Sequence, residues 1–529
     1  MKKVLVCDPI SELGVNIIKQ EPSLEVDVKL KLTEDEICAI VADYHAIVVR
    51  SETKITKKIL ENARVLQVVG RAGVGIDNID VDAATMKGVV VVNTPDGNTI
   101  SAAEHTVGMM LALARHIPEA DQSLRQGLWN RSKLVGVELR NKKLGIIGFG
   151  KIGSEVGKRC KAFGMEIMVF DPYVNLDNAK RAGVELTDLN TLIKESDFIT
   201  VHMPKTKETL NMIAKDQFAI MKDGVRIINV ARGGLINEDD LYDAIVAKKV
   251  AGAALDVYVK EPETASPLFT LKEVVATPHL GASTEEAQVN VAIDVVHEVI
   301  RVLHGEPVQN AVNIPFIKPE LMVVVQPYTV LTEKLGKLAT SLAEGPIDDI
   351  ELKYSGDIAN LDLSSLTNTF LKGLLRPSLH EAVNYVNAPL LARQRGMKVK
   401  EIKSSQAEDY TNLIAITIKG NNGKWQKSFS GTVFKNNELR VLRMDKFSLD
   451  IQPTGHLILV MHRDRPKLVG QMGMILGEYG INIAGMQLDR EEQGGKALMV
   501  LTIDQGVNES IMNQIRKIDD VTQATYVSF

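Results

Sequence analysis

"LGIIGFGKIGSEVGKRCKAFGMEIMVFD", residues 144–171, sets a run of strand-forming residues against glycines at 148, 150 and 153. A helix-length stretch follows, then a second strand ending in Asp171. Strand, GxGxxG, helix, strand and acid in this order make a dinucleotide-binding βαβ unit. Gly148 permits a tight turn, Gly150 lets backbone approach a pyrophosphate, and Gly153 lets the helix lie close on the sheet. The helix N-terminus adds unpaired N–H groups and the positive end of its dipole. Asp171 would accept from both ribose hydroxyls and repel a 2′-phosphate, which favours NAD over NADP. Glycines at this spacing also serve ordinary turns, but here the strand, the helix and the terminal acid all sit where the ligand needs them. The side chain of Lys151 reads as solvated.

Outward from this unit, short β-branched runs alternate with amphipathic helical patterns through the first three hundred residues, as around a parallel sheet. "KVLVC" (3–7), "AIVVR" (46–50), "VLQVVG" (65–70) and "GVVVVN" (88–93) belong to a first series. A second series runs "KLGIIGF" (143–149), "EIMVFD" (166–171), "DFITVH" (197–202), "VRIINV" (225–230), "AGAALDV" (251–257) and "VVATPH" (274–279), six strands for a doubly wound sheet. Between them a helix carrying "HTVGMMLALAR", opened by Ser101 and Glu104 in capping-box spacing, is expected to bridge two domains. After the helical segment 285–305, Pro307, Asn310 and Pro315 mark a linker. Residues 316–451 then mix helices with an antiparallel stretch whose "NNG" fits a hairpin turn. Residues from 455 onward read strand, helix, strand, strand, helix, strand, a ferredoxin-like βαββαβ unit.

A chain of 529 residues exceeds one hydrophobic core. A net charge of -5 spread over that length gives no support for a nucleic-acid partner. Cys7, Cys38 and Cys160 lie far apart without metal-ligand spacing, so no metal is expected and the thiols read as reduced, in a cytoplasmic protein. "MKKVLVCDPI" is cut short by Asp8 and Pro9, too early for a membrane span.

Polar residues stand at three further strand ends, where ligands sit in an open α/β sheet. "NVARGGLINEDDL" places Arg232 just past a strand, "LDVYVKEP" gives Asp256 and Glu261, and "TPHLGAST" (277–284) sets His279 on a loop of small residues. Oxidising a secondary alcohol with a nicotinamide requires a base for the hydroxyl proton and a cation to orient an adjacent carboxylate. His279 suits the first task and Arg232 the second, with a carboxylate such as Glu261 to orient the ring.

"VGRAGVGIDNID", "GFGKIG", "VFDP", "VARGG", "EP" and "PHLGAST" together are similar to the D-isomer-specific 2-hydroxyacid dehydrogenases. The resemblance implies an α/β fold: a substrate-binding Rossmann-like domain over 1–98 and 288–315, and an NAD-binding one over 99–287. An α+β intervening domain, resembling an allosteric substrate-binding module, would follow over 316–451, and an ACT regulatory domain over 452–529. It implies Arg232, Glu261 and His279 as the catalytic set. NAD contacts would fall at Lys151, Ile152, Asp171, Val230, Ala231, Arg232, Asp256, His279, Leu280, Gly281 and Ala282. Val74 and Met203 occupy two further contact positions where a hydroxyl residue is frequent in the family, so a side-chain contact there is not implied.

Substrate would meet Arg50, Arg71 and the backbone of Gly73, Val74 and Gly75, while Arg131 and Lys133 would reach a neighbouring subunit's cleft in a dimer or tetramer. A phosphomonoester calls for planar, charge-assisted arginine donors, so the expected reaction is oxidation of 3-phospho-D-glycerate to 3-phosphohydroxypyruvate, the entry to serine. The rivals are reduction of glyoxylate, hydroxypyruvate or lactate-type acids, and an NAD-sensing corepressor that binds without turnover. In the ACT-like unit His462, Asp464 and Asn482 are the candidate contacts for L-serine as a regulator. Lys467 stands in "RDRPKLVG" where the family loop often has Gly.

Overall fold

The computed structural model describes residues 1–315, 319–379, 382–406 and 410–529; the expected start of the third unit, at 316, falls outside them. The first sheet holds β1 (Lys2–Val6), β2 (Leu24–Val28), β3 (Ala46–Val49), β4 (Val68–Arg71) and β5 (Val90–Val92) in the order β2-β1-β3-β4-β5, all parallel. β3 and β5 are buried at every residue, as parallel strands covered on both faces must be. The helix Glu285–His304 supplies part of that cover, with Val291, Val295 and Val299 packed into the core of this sheet. Its Thr284 cap and left-handed Gly305 set its ends.

The second sheet holds β6 (Lys143–Ile147), β7 (Glu166–Phe170), β8 (Glu185–Leu186), β9 (Phe198–Val201), β10 (Val225–Asn229), β11 (Val250–Leu255) and β12 (Val274–Ala276). Its order is β12-β11-β10-β9-β6-β7-β8. Seven strands replace the six expected, because the two-residue β8 on the outer edge is too short to leave a periodicity. The bridging helix starts at Thr99 rather than behind Ser101. Ser101 is not its cap: the hydroxyl donates instead to the carbonyl of Gly281, 2.8 Å away.

The third sheet runs β14-β13-β15-β16-β17-β18, from β13 (Ile347–Gly356), β14 (Lys398–Ser404), β15 (Asn412–Gly420), β16 (Trp425–Phe434), β17 (Glu438–Met444) and β18 (Phe447–Ile451). The helices Pro319–Leu342 and Ser364–Leu375 complete its core. Asn421, Asn422 and Gly423, all at positive φ, turn the β15–β16 hairpin.

The last sheet, β20-β21-β19-β22, comes from β19 (His456–Arg463), β20 (Ile483–Arg490), β21 (Lys496–Ile503) and β22 (Val521–Ser528). The helices Leu468–Glu478 and Glu509–Arg516 cover one face. From the other face Leu457, Leu459, Leu498, Val500 and Val527 enter the core of the third sheet, so the two C-terminal units share one apolar interior.

The C-terminal half is also tied to the first sheet. Val386 is 2% exposed within that sheet's core, and the amides of Asn384 and Asn387 donate to the carbonyls of Gly88 and Met86. Among the described residues no helix is long and apolar enough to cross a membrane.

Candidate active site

The glycine motif forms the turn its spacing requires. Gly148 has φ +93, and a Cβ there would meet the carbonyl of His202 at 2.6 Å; one on Gly153 would lie 2.1 Å from the carbonyl of Gly148. A Cβ on Gly150 would meet nothing within 4 Å, so the backbone faces open space at the mouth of the helix Lys151–Ala162, whose N-terminus has no side-chain cap. Free N–H groups and clearance are what a pyrophosphate needs.

Asp171 accepts from the backbone N–H groups of Phe149 and Tyr173, each at 2.8 Å. These bonds fix its carboxylate at the end of β7 and leave a second lone pair on each oxygen. Lys151 is not merely solvated, since its ammonium pairs with Asp96. Met203 lies against the Gly148 turn. Behind it burial pushes the His202 imidazole down to about 4, so that ring is neutral at physiological pH.

Asp256 organises the loop that carries the histidine. It is fully buried, and one carboxylate oxygen accepts from the Thr277 hydroxyl at 2.6 Å and the Leu280 N–H at 2.7 Å; the other accepts from the Gly281 N–H at 2.9 Å. His105 Nε2 lies 3.2 Å from the first of these oxygens. Three of these contacts fall on one oxygen, while the other accepts from Gly281 alone and keeps a second lone pair.

Burial alone would raise this carboxyl, but the hydrogen bonds from His105, Thr277, Leu280 and Gly281 outweigh it and hold the group below its ordinary value of 3.8. A depressed folded-state value means stability that is present above about pH 4 and lost as pH falls through the folded value. Asp256→Asn should cost about 2 kcal/mol at neutral pH by leaving buried donors ill matched. In urea unfolding followed from pH 7 downward, the gap between variant and wild type should stay constant to about pH 4 and then close.

Held by this anchor, His279 sits at φ +56, with its own N–H donated to the carbonyl of Asp256 at 2.8 Å. A non-glycine residue in the left-handed region costs on the order of 1–3 kcal/mol and persists where its surroundings dictate it. His279 Nδ1 lies 2.7 Å from Glu261 Oε2, and the ring, 48% exposed, presents Nε2 to the cleft. Burial would raise the Glu261 carboxyl, but the His279 ring, the Tyr258 N–H and the charge of Arg232 keep it low. Glu261 is thus an anion against Nδ1 at neutral pH.

Arg232 turns toward the first sheet. Its guanidinium lies beside Gly75, where a Cβ would stand 2.4 Å from Nη2, and 3.6 Å from Asp77. Arg71 lies over Gly73 in the same way, with a Cβ there falling 1.7 Å from Nη1. Gly73 and Gly75 therefore clear room for two guanidiniums.

Burial pushes Arg71 down to about 10, and the charges of Arg232 and Arg50 push the same way; its Nε is buried without a partner. Arg50 is set by Asp8, 1% exposed, which accepts from the Arg50 N–H at 2.6 Å and from Thr53, while Asn78 donates to the carbonyls of Arg50 and Thr53. Arg50 and Arg232 thus both bear on Arg71, a concentration of positive charge that a multiply charged anion would relieve. Arg131 and Lys133 are exposed on a short 3-10 turn, and neither is among the charges that act most strongly on Arg71.

Sequence reasoning missed Asp8, Asn78, Thr277 and His105. Only His105 left a trace: with Ser101 it makes a polar pair four residues apart on an apolar helix, and the two side chains reach Thr277 and Gly281 in the His279 loop.

The three regulatory candidates do not meet within one chain. His462 and Arg490 both stand level with Ala497 in the register, so Asn482 lies about eight strand residues, or about 26 Å, from His462. His462 is 2% exposed with Nε2 unpartnered, Asp464 pairs with Arg490 at 2.6 Å, and Asn482 donates to Asp504.

Comparison with known proteins matches residues 107–281 to the NAD-binding domain of D-isomer specific 2-hydroxyacid dehydrogenases. Residues 324–445 match the D-3-phosphoglycerate dehydrogenase intervening domain, and 456–520 the ACT domain. A D-3-phosphoglycerate dehydrogenase of Archaeoglobus fulgidus is 44% identical over 528 residues, 99% of either chain. That of Methanocaldococcus jannaschii is 44% identical over the whole of both chains, and that of Bacillus subtilis 40% identical over 100% of this chain and 99% of the other. Among solved structures, the D-lactate dehydrogenase of Aquifex aeolicus complexed with NAD and lactic acid has a TM-score of 0.51 at 29% identity, covering 58% of this chain and 96% of that one.

Proposed function

The chain belongs to the D-isomer-specific 2-hydroxyacid dehydrogenases, among the relatives named D-3-phosphoglycerate dehydrogenase, and from that premise we propose how its cleft divides the work. The protein is an NAD-dependent enzyme that oxidises 3-phospho-D-glycerate to 3-phosphohydroxypyruvate, the first step toward L-serine. The cofactor, when bound, accepts the hydride leaving C2.

The backbone from Gly148 to Gly153 holds the pyrophosphate, and Asp171 holds the adenosine ribose. Arg232 grips the substrate carboxylate and polarises the forming carbonyl, while His279 Nε2 takes the hydroxyl proton and the Glu261 anion offsets the imidazolium that results. Arg50 and Arg71 receive the phosphate, and the observation that supports this reading is the placement of the Arg71 and Arg232 guanidiniums over Gly73 and Gly75, with Arg71 Nε buried and unpartnered. Ile117, Leu124, Leu128, Trp129 and Val135 are all more than 45% exposed on one segment, which supports pairing of two copies through it. Feedback by L-serine would then draw Asn482 of one copy toward His462 and Asp464 of another.

The test is NAD-dependent oxidation of 3-phosphoglycerate with coupled removal of the product, with and without L-serine. The expected result is turnover at least about tenfold above that on glycerate, lactate or glycolate, since a phosphate held by arginines contributes 1.5 kcal/mol or more per charge-assisted bond. Faster turnover of the unphosphorylated acids would reject the phosphate assignment. Unchanged rates with serine would reject the feedback alone.

A further inference from the structure

A cavity of about 330 Å³ opens on the first sheet beside the catalytic cleft, lined by Asp8, Lys31, Glu34, Glu52, Thr53 and Lys54 among others, with Leu32 and Ile37 as its apolar floor. Its walls are the loops that leave β1, β2 and β3. In the order β2-β1-β3-β4-β5 the chain reverses direction between β1 and β3, and the crevice beyond the carboxyl ends of the strands at such a reversal is where open α/β sheets take ligands. None of Arg50, Arg71, Arg232 or His279 lines it.

Three of the charges around this cavity are uncommitted. Among the described residues the ammonium groups of Lys31 and Lys54 and the carboxylate of Glu52 have no hydrogen-bond or ion-pair partner. Glu34 accepts from the Thr56 hydroxyl, and Asp8 is spent on Arg50 and Thr53. Lys31 is held at φ +59, a conformation that lysine rarely adopts. Two free cations and one free anion over a small apolar floor suit a ligand with a carboxylate at one end and an ammonium at the other. A phosphate dianion fits worse, because Glu34 and Glu52 would face it.

We propose that this cavity is a regulatory site for a free α-amino acid, separate from the C-terminal ACT domain. The carboxylate lies between Lys31 and Lys54, the ammonium on Glu52, and the side chain on Leu32 and Ile37. The route to catalysis is short. Thr53 lines the cavity and donates to Asp8 through both N–H and hydroxyl, and Asp8 also accepts from the N–H of Arg50, so a ligand that moves Thr53 moves a substrate-binding arginine. The effect falls on the KM for phosphoglycerate rather than on kcat.

Calorimetric titration of the full-length protein with L-alanine, L-threonine and L-aspartate, each alone, tests this apart from any serine site in the ACT domain, alongside the KM for 3-phosphoglycerate with each present. At least one should bind and shift KM about threefold. Lys31→Asn with Lys54→Ala should weaken that binding about tenfold or more and abolish the KM shift, through loss of two charge-assisted contacts. Asn tolerates the left-handed backbone at position 31, and both positions are exposed, so folding and basal turnover should hold. Asn482→Ala in the ACT domain should leave the binding and the shift intact. Absence of binding by all three, survival of binding in the double variant, or its loss in Asn482→Ala alone would each overturn the proposal. None of these outcomes touches the turnover measured without amino acid, on which the catalytic reading rests.

Discussion

His279→Gln should lower kcat for 3-phosphoglycerate oxidation by about 10³, within the range a positioned general base contributes, while leaving the dissociation constant for NAD within about twofold. Glutamine can bond to Glu261 or to the substrate hydroxyl, but it cannot take up the hydroxyl proton. The loop survives the change because its shape is dictated elsewhere: Asp256 holds the N–H groups of Leu280 and Gly281 and the hydroxyl of Thr277 whatever side chain stands at 279. The φ of +56 penalises most replacements, so His279→Asn, which tolerates that region better, is the companion variant and should lose as much activity. Glu261→Gln should cost less, about 10–100-fold, since it removes only the anion that offsets the charged ring. Wild-type kcat in both His279 variants, measured on protein with unchanged Tm, would remove the proton-transfer role from this residue.

How much of this could be read beforehand follows from how local each feature is. The dinucleotide turn was legible because three glycines, a helix start and Asp171 lie within twenty-four residues, and each does a job that depends on its own backbone. The trio Arg232, Glu261 and His279 could be named from strand ends, since successive strands of a parallel sheet deliver their carboxyl ends to one edge. What escaped is long-range satisfaction of polar groups. The resemblance implies a dinucleotide contact at Asp256, but nothing in "LDVYVKEP" reveals that the N–H groups of a loop twenty-four residues on also bond to its carboxylate. Asp8 looks like the end of a strand, yet its partners are at 50 and 53. The two-residue strand β8 was too short to show a period. Within one chain an eight-residue strand separates Asn482 from His462 and Asp464, so a ligand site shared by all three requires a second copy, which no single-chain sequence pattern displays.

Arg71→Ala should raise the KM for 3-phosphoglycerate about 10²-fold, the loss expected for a bidentate charge-assisted contact of about 3 kcal/mol, and should leave Tm no lower than wild type. The two halves of this expectation come from one observation. Burial and the neighbouring Arg50 and Arg232 push the Arg71 guanidinium down to about 10, so below that pH its charge is carried at a cost to the folded protein. A group kept charged against such a cost, with Nε buried and unpartnered, is poised for an anion. Removing it relieves the repulsion and empties the phosphate site together.

Thermal unfolding with added 3-phosphoglycerate separates the effects, because a ligand at free concentration L that binds only the folded state stabilises it by RT ln(1 + L/Kd) and so raises Tm. Wild type should shift upward at millimolar substrate and Arg71→Ala should not. Unphosphorylated glycerate supplies the control: it reaches Arg232 and His279 but has nothing for Arg71 to hold, so its KM should change less than about twofold. A KM for glycerate that rises as steeply as that for phosphoglycerate would mean that Arg71 shapes the cleft as a whole, and the phosphate would have to be placed elsewhere.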